Sequence, residues 1–327
     1  MSLVSCQNWT LTEIENLFQT ADNIHKLSHT HLENKILINV FFEPSTRTSL
    51  SFECAMKRLG GQVINFQKDT SSLKKGESFE DTLRTLSQYG DLMVLRHPQP
   101  GQVSLASSLI EIPIINAGDG SGEHPTQALL DLYTIYKHFG EDFKTKNILF
   151  IGDLKNSRTI HSLLLLIHNY PQMNIYILAY PGLEPDLKTL EEISVIHKQD
   201  KDTIKVKFET IDYQLFDVIY ITRLQQERLK MKEESQCNFM MTNQLANKMK
   251  EESIIMHPLP RNEEIHPEVD QNHRSHYFKQ MKYGVNIRMA LISVILSFHV
   301  VVPFIASQYC ISCCSCNDGY SFALASL

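Results

Sequence analysis

Cysteine is scarce through most of this chain. Cys6, Cys54 and Cys237 are scattered, and the other four of the seven crowd beyond residue 309. That spacing excludes a disulfide framework and fits a reducing, cytoplasmic setting. Positive charge is not in excess either: the net charge is -6, with no basic run. General attraction to nucleic acid is therefore not expected. The first nine residues lack a basic segment followed by an apolar one, so no secretory signal is expected. No metal-ligand constellation, Ser-His-Asp order or dinucleotide fingerprint is found. Gly118, Gly120 and Gly122 have the wrong spacing for such a loop and lead into Glu-His-Pro. Neither a metal nor a cofactor is expected. No formally charged side chain falls between Met289 and Ser312. Pro303 interrupts this stretch and its first part reads as a helix of the fold, so a membrane span is not expected.

What is present is an alternation. With 327 residues, 43% hydrophobic and 21% charged, the chain has room for two domains with separate cores. A capped helix is predicted from Thr10 to Leu27. Strands 36–41, 63–66, 92–95 and 112–115 then alternate with helices 48–59, 79–89, 102–109 and one from about 125 to 138. A second series begins after Lys146, with strands 147–151, 175–179, 204–208, 218–221 and 254–256 and helices near 160–167 and 184–195. Such alternation implies an α/β fold, two domains each with a mainly parallel sheet flanked by helices. The boundary is placed at 139–140, giving domains 1–139 and 140–283, with a closing helix over 284–296 and a tail over 297–327.

The stretch Phe41 to Glu53 organises the rest. It runs from a buried apolar strand into a helix that Gly60-Gly61 stops, so Ser45, Thr46, Arg47 and Thr48 fall at a helix N-terminus. Unpaired backbone N–H groups and the helix dipole favour an anion there. A simple cap would account for Ser45 or Thr46 alone. Company elsewhere decides the matter. Polar clusters follow six separate strands: 45–48, Arg96-His97, 124–127, Arg158, 223–225 and 257–260. In open parallel sheets, ligands bind beyond the carboxyl ends of strands. Any one of Arg47, Arg96, Arg158 and Arg223 reads as a solvated charge, and His124 as a cap. Lys75, beside Ser72 on a polar loop, reads as solvated, and Gln127 as helix surface. Together they describe a pocket for a small polyanion, because guanidiniums grip phosphate and carboxylate through two bonds at once.

These motifs carry a resemblance. Phe-Glu-Pro-Ser-Thr-Arg-Thr-Ser (42–49), Ser72-x-x-Lys75-Gly-Glu77, Leu95-Arg-His-Pro98, His124-Pro-Thr-Gln127, Gly152-Asp-Leu-Lys155, Thr222-Arg-x-Gln225 and His257-Pro-Leu-Pro-Arg261 resemble those of the aspartate carbamoyltransferases. Ser49, Thr126 and His257-Pro258-Leu259-Pro260 match that pattern and not the ornithine one. The resemblance implies the carbamoyltransferase fold and transfer of a carbamoyl group from carbamoyl phosphate to L-aspartate, the committed step of pyrimidine synthesis. It implies that Ser45, Thr46, Arg47, Thr48 and Arg96 hold the phosphate. Thr48, Arg96 and His124 would polarise the carbonyl. Gln127 with the Leu259 and Pro260 carbonyls would orient the carbamoyl NH₂. Arg158, Arg223, Gln225 and Lys75 would take aspartate. Ser72 and Lys75 would come from a neighbouring subunit, so a homotrimer with shared sites is implied. These motifs do not report whether a regulatory chain docks, nor which group is the base.

Two departures stand out. Ser157 replaces the family's usual glycine before the arginine, and nothing matches beyond Ser297. The cysteine-bearing tail is expected to be a loose appendage. A related transferase with another amine acceptor, or a silent regulator that binds carbamoyl phosphate, are the competing readings. The aspartate-type motifs argue against the first, and retention of Arg47, Lys75, Arg96, His124 and Arg223 argues against the second.

Overall fold

The computed structural model describes residues 2–27, 31–68, 71–225 and 239–297. The expectations for the tail beyond Ser297, and Cys237, lie outside these residues. Residues 1–296 form one compact unit.

Helix α1 (Leu11–Asn23) opens the chain. Of the two threonines that could cap it, Thr10 and Thr12, Thr10 does: its hydroxyl accepts from the Glu13 N–H, and the Glu13 carboxylate accepts from the Thr10 N–H. Next come β1 (Ile36–Phe41), α2 (Thr46–Arg58), β2 (Gln62–Phe66), α3 (Phe79–Ser87), β3 (Leu92–His97), α4 (Gln102–Leu109), β4 (Ile114–Asp119) and α5 (Pro125–Phe139). The second series is β5 (Asn147–Gly152), α6 (Arg158–Ile167), β6 (Asn174–Ala179), α7 (Leu187–His197), the one-turn α8 (Lys201–Ile204), β7 (Val218–Ile221), α9 (Asn243–Ala246) and β8 (Ile254–Met256). Helix α10 (Tyr277–Leu296) closes the fold.

The inner strands read as unbroken apolar runs because helices cover both faces. Leu37, Ile38 and Val40 of β1, and Ile148 to Ile151 of β5, are fully buried. Helix α2 buries Phe52, Ala55 and Met56, a stripe at helical spacing. Helix α10 turns Ile287, Ala290, Leu291 and Ile295 inward and packs on α1, α2 and α5.

Among the described residues the strands make two parallel sheets, ordered β2-β1-β3-β4 and β6-β5-β7-β8. In each, the chain winds first to one side of the opening strand and then to the other. The reversal falls between β1 and β3 in the first sheet and between β5 and β7 in the second. Loops leaving those strands diverge and open a crevice. They carry Glu43–Thr48, Asp153–Arg158 and Thr222–Gln225, with Arg96 at the end of β3 beside them.

Three expectations are corrected. The segment 204–208 is not a strand. Asp200 caps the turn of α8, and beyond it only Lys205 bridges β6, at Ile177. Strand β4 begins later than 112 and runs through Ala117, Gly118 and Asp119, so half of the supposed glycine turn is sheet. Helix α10 starts at Tyr277, seven residues before the predicted 284.

Candidate active site

A cavity of about 710 Å³ lies where the strand-end loops of both sheets meet. Ser45, Thr46, Arg47, Thr48, Arg96, His124, Gln127, Arg158, Arg223, Gln225, Leu259 and Pro260 all line it. Ser72 and Lys75 do not; they sit exposed on a short 3₁₀ turn, Ser72–Lys75. His97 is also outside the lining, packed against the rings of Phe42 and Phe79.

The first wall is the N-terminus of α2. Ser45 occupies the cap position, yet its side chain makes no capping bond. Ser45, Thr46 and Thr48 line the cavity at the helix end, where the first N–H groups have no partner within the helix. Burial, and then the charge of Arg223, lower the pKa of Arg47. These two cations repel, and an anion between them relieves the repulsion.

Among the described residues, five arginines and one carboxylate line the cavity. Sequence reading passed over two of these residues, Glu43 and Arg288. One oxygen of Glu43 takes Arg96 at 2.5 Å and Arg158 at 2.9 Å, tying β3 to the start of α6. Burial alone would raise the Glu43 carboxyl; the two guanidiniums outweigh it and hold the pKa low. Arg288, on α10, is buried against the Phe52 ring, and burial lowers its pKa to about 10. A clue existed for Glu43, since it sits inside the Phe-Glu-Pro motif. Arg288 lay in the closing helix and gave none.

Glycines seat Arg158. Its Nη1 donates to the Gly120 carbonyl at 2.6 Å, and a Cβ on Gly118 would stand 3.0 Å from its Nη2. The glycine-rich segment is thus a cradle for a guanidinium. Gly152 ends β5 at φ +125°, where a Cβ would lie 2.2 Å from the Thr222 carbonyl. Ser157, at φ -82°, needs no glycine; its hydroxyl pairs with that of Thr159 at 3.0 Å.

His124 and Gln127 begin α5. The His124 backbone N–H donates to the Ser162 hydroxyl, but its ring makes no cap, and Nδ1 has no partner. Burial, reinforced by Arg158, Arg96 and Arg288, drives its pKa well below the ordinary histidine value. The ring is a neutral imidazole. Gln127 donates through Nε2 to Asp131 at 2.9 Å. On the 257–260 segment, His257 Nε2 donates to Glu264 and Nδ1 accepts from the Leu259 N–H, both at 2.8 Å. This holds Leu259 at φ +55°, in the left-handed region. Among the described residues, no group of three or more His, Cys, Asp or Glu side chains could hold a metal ion.

The arrangement can bind two anionic groups in one cavity and present a neutral donor and acceptors to a carbonyl and an amide. The family model for the aspartate/ornithine carbamoyltransferase carbamoyl-P binding domain matches residues 1–137, and that for the Asp/Orn binding domain matches residues 144–295. The aspartate carbamoyltransferase catalytic subunit of Thermoplasma acidophilum is 44% identical over 308 residues, 90% of this chain and 98% of its own. That of Archaeoglobus fulgidus is 43% identical over 293 residues, 88% of this chain and 94% of its own. Aspartate transcarbamoylase from Trypanosoma cruzi, solved with carbamoyl phosphate and aspartate, superposes with a TM-score of 0.81 at 37% identity. The match covers 89% of this chain and 95% of that one. The same enzyme with carbamoyl aspartate and phosphate gives 0.80 at 38%, covering 89% and 94%. Matched domain models and shared sequence agree: the chain belongs to the aspartate/ornithine carbamoyltransferase family.

Proposed function

We propose that this chain is an aspartate carbamoyltransferase, which moves the carbamoyl group of carbamoyl phosphate to the amine of L-aspartate, giving N-carbamoyl-L-aspartate and phosphate. The observation that carries the reading is one cavity joining a helix N-terminus and Arg96 to Arg158, Arg223 and Gln225. The first set suits a phosphate, the second a dicarboxylate. Ser45, Thr46, Arg47, Thr48 and Arg96 hold the phosphate. Thr48, Arg96 and His124 donate toward the carbonyl oxygen, which becomes an oxyanion when the amine attacks. Gln127 and the Leu259 and Pro260 carbonyls accept from the carbamoyl NH₂. Fixed cations and dipoles favour the charged tetrahedral intermediate over the ground state, and juxtaposing the substrates lowers the entropic barrier. The C–O bond to phosphate then breaks, and the leaving phosphate takes the amine proton. The test is product identification: carbamoyl phosphate and L-aspartate yield carbamoyl-aspartate with equimolar phosphate, whereas phosphate release without carbamoylated aspartate overturns the reading.

The same reading places residues 1–139 in the carbamoyl-phosphate domain, with the end of α10 packing back on it, and 140–283 in the aspartate domain. The matched models, meeting between 137 and 144, support that division. A cytoplasmic setting is supported by the free thiols of Cys6 and Cys54. No described helix is long and apolar enough to cross a membrane.

Ser72 and Lys75, exposed and outside their own chain's cavity, are assigned to a neighbour's site in a homotrimer. Mixing Lys75→Ala and Arg47→Ala chains, each inactive alone, should restore about a quarter of wild-type activity, since one site in four then joins two intact contributions. No recovery after subunit exchange would place both residues in one chain's site.

A further inference from the structure

Asp131 lies one helical turn beyond Gln127 on α5 and is completely buried. It does not itself line the cavity; it meets the lining at Gln127. Its Oδ1 accepts from Gln127 Nε2 at 2.9 Å and from Gln280 Nε2 at 2.8 Å, and its Oδ2 accepts from the Tyr220 hydroxyl at 2.7 Å. Gln280 belongs to α10 and Tyr220 to β7, and both are fully buried. The other end of Gln280, Oε1, accepts from the His257 backbone N–H at 2.9 Å. One carboxylate oxygen therefore holds two glutamine amides by their nitrogen ends.

We propose that Asp131 is a positioning residue that gives the site its preference for a carbamoyl over an acyl phosphate. A primary amide presents a donor at one end and an acceptor at the other, and an ionised carboxylate only accepts. Binding Nε2 of Gln127 to Asp131 turns its Oε1 the other way, as an acceptor for the carbamoyl NH₂. Binding Nε2 of Gln280 likewise commits its Oε1 to His257, at the head of the segment that carries the Leu259 and Pro260 carbonyls. The amide-reading acceptors are thus organised by one oxygen atom. Burial pushes the Asp131 carboxyl up to about 7, opposed by Tyr220, Gln280 and Gln127 and by the charge of Arg288. Protonation does not undo the arrangement. A proton on Oδ2 is accepted by the Tyr220 oxygen, and Oδ1 remains an acceptor.

The inference rests on the assignment of Gln127 to the carbamoyl NH₂. Its test compares carbamoyl phosphate with acetyl phosphate, which carries a methyl where the NH₂ stands, and with inorganic phosphate, which lacks both. In Asp131→Leu, KM for carbamoyl phosphate should rise about tenfold, while inhibition constants for acetyl phosphate and phosphate stay within about twofold. Asp131→Asn should restore the preference, because Asn keeps an acceptor toward the glutamines and donates to Tyr220. If Asp131→Leu does not fold, Asp131→Ser, whose hydroxyl is too short to reach Gln127, carries the same expectation. A parallel rise of all three constants, or an unchanged KM, overturns the proposal. Gln127→Ala separates the two levels. If it too spares the preference, the assignment of Gln127 is wrong; if it abolishes the preference and Asp131→Leu does not, only the role of Asp131 falls.

Discussion

Arg96→Ala is expected to lower kcat/KM for carbamoyl phosphate by about four orders of magnitude. Arg96 stands at the end of β3, where the first sheet reverses direction, and reaches the cavity with only 15% of its side chain exposed. It is assigned to the phosphate and to the carbonyl oxygen together. Losing one preorganised donor to a developing oxyanion costs about 10²–10³ in rate, and losing a charge-assisted phosphate contact costs about tenfold or more besides. Part of the loss arises from Glu43, which would keep only Arg158 as a partner. Arg96→Lys retains charge without the planar fork and should recover only a small fraction. Steady-state rates measured against both substrates check this. A loss below about tenfold with kcat unchanged would mean that Arg96 contributes uniform binding and no transition-state stabilisation.

His124→Ala should lower kcat by about 10²–10³ while leaving the shape of the pH profile between 6 and 8 unchanged. The sign follows from the direction of its shift. Burial and three arginines depress the His124 pKa, so the ring is already neutral above its ordinary value and protonates only well below it. A neutral ring donates one hydrogen bond to the carbonyl oxygen without changing charge across this range. Any acid limb near neutrality belongs to another group and survives in His124→Ala. A wild-type limb between pH 6 and 7 that vanished in the variant would show that His124 titrates there, contrary to this account.

The alternation of strands and helices was legible because buried parallel strands are apolar runs. Ile36–Val40 and Asn147–Ile151 left little choice. The six polar clusters were legible as a site because each followed such a run, and the two sheet reversals supply the geometry that joins them. What escaped the sequence was pairing over distance. Nothing near Glu43 says that its partners are residues 96 and 158, and nothing near Asp131 points to residues 220 and 280. Both acids look like ordinary surface charges until the fold buries Asp131 and half-buries Glu43. Segment 204–208 misled for the opposite reason: its apolar alternation suggested a strand, but the Asp200 cap commits the preceding residues to a helical turn. Helix α10 starts early because Tyr277 and Gln280 are buried before the apolar periodicity becomes obvious.

The most direct measurement offers the full-length chain carbamoyl phosphate with L-aspartate and L-ornithine at equal concentration and quantifies both products. Arg158, Arg223 and Gln225 around a cavity whose described lining holds a single carboxylate predict carbamoyl-aspartate almost alone, by at least about a thousandfold, because a second carboxylate on the acceptor is gripped and a second ammonium is repelled. Citrulline in comparable amount, or neither product from folded protein that still binds carbamoyl phosphate, would contradict it.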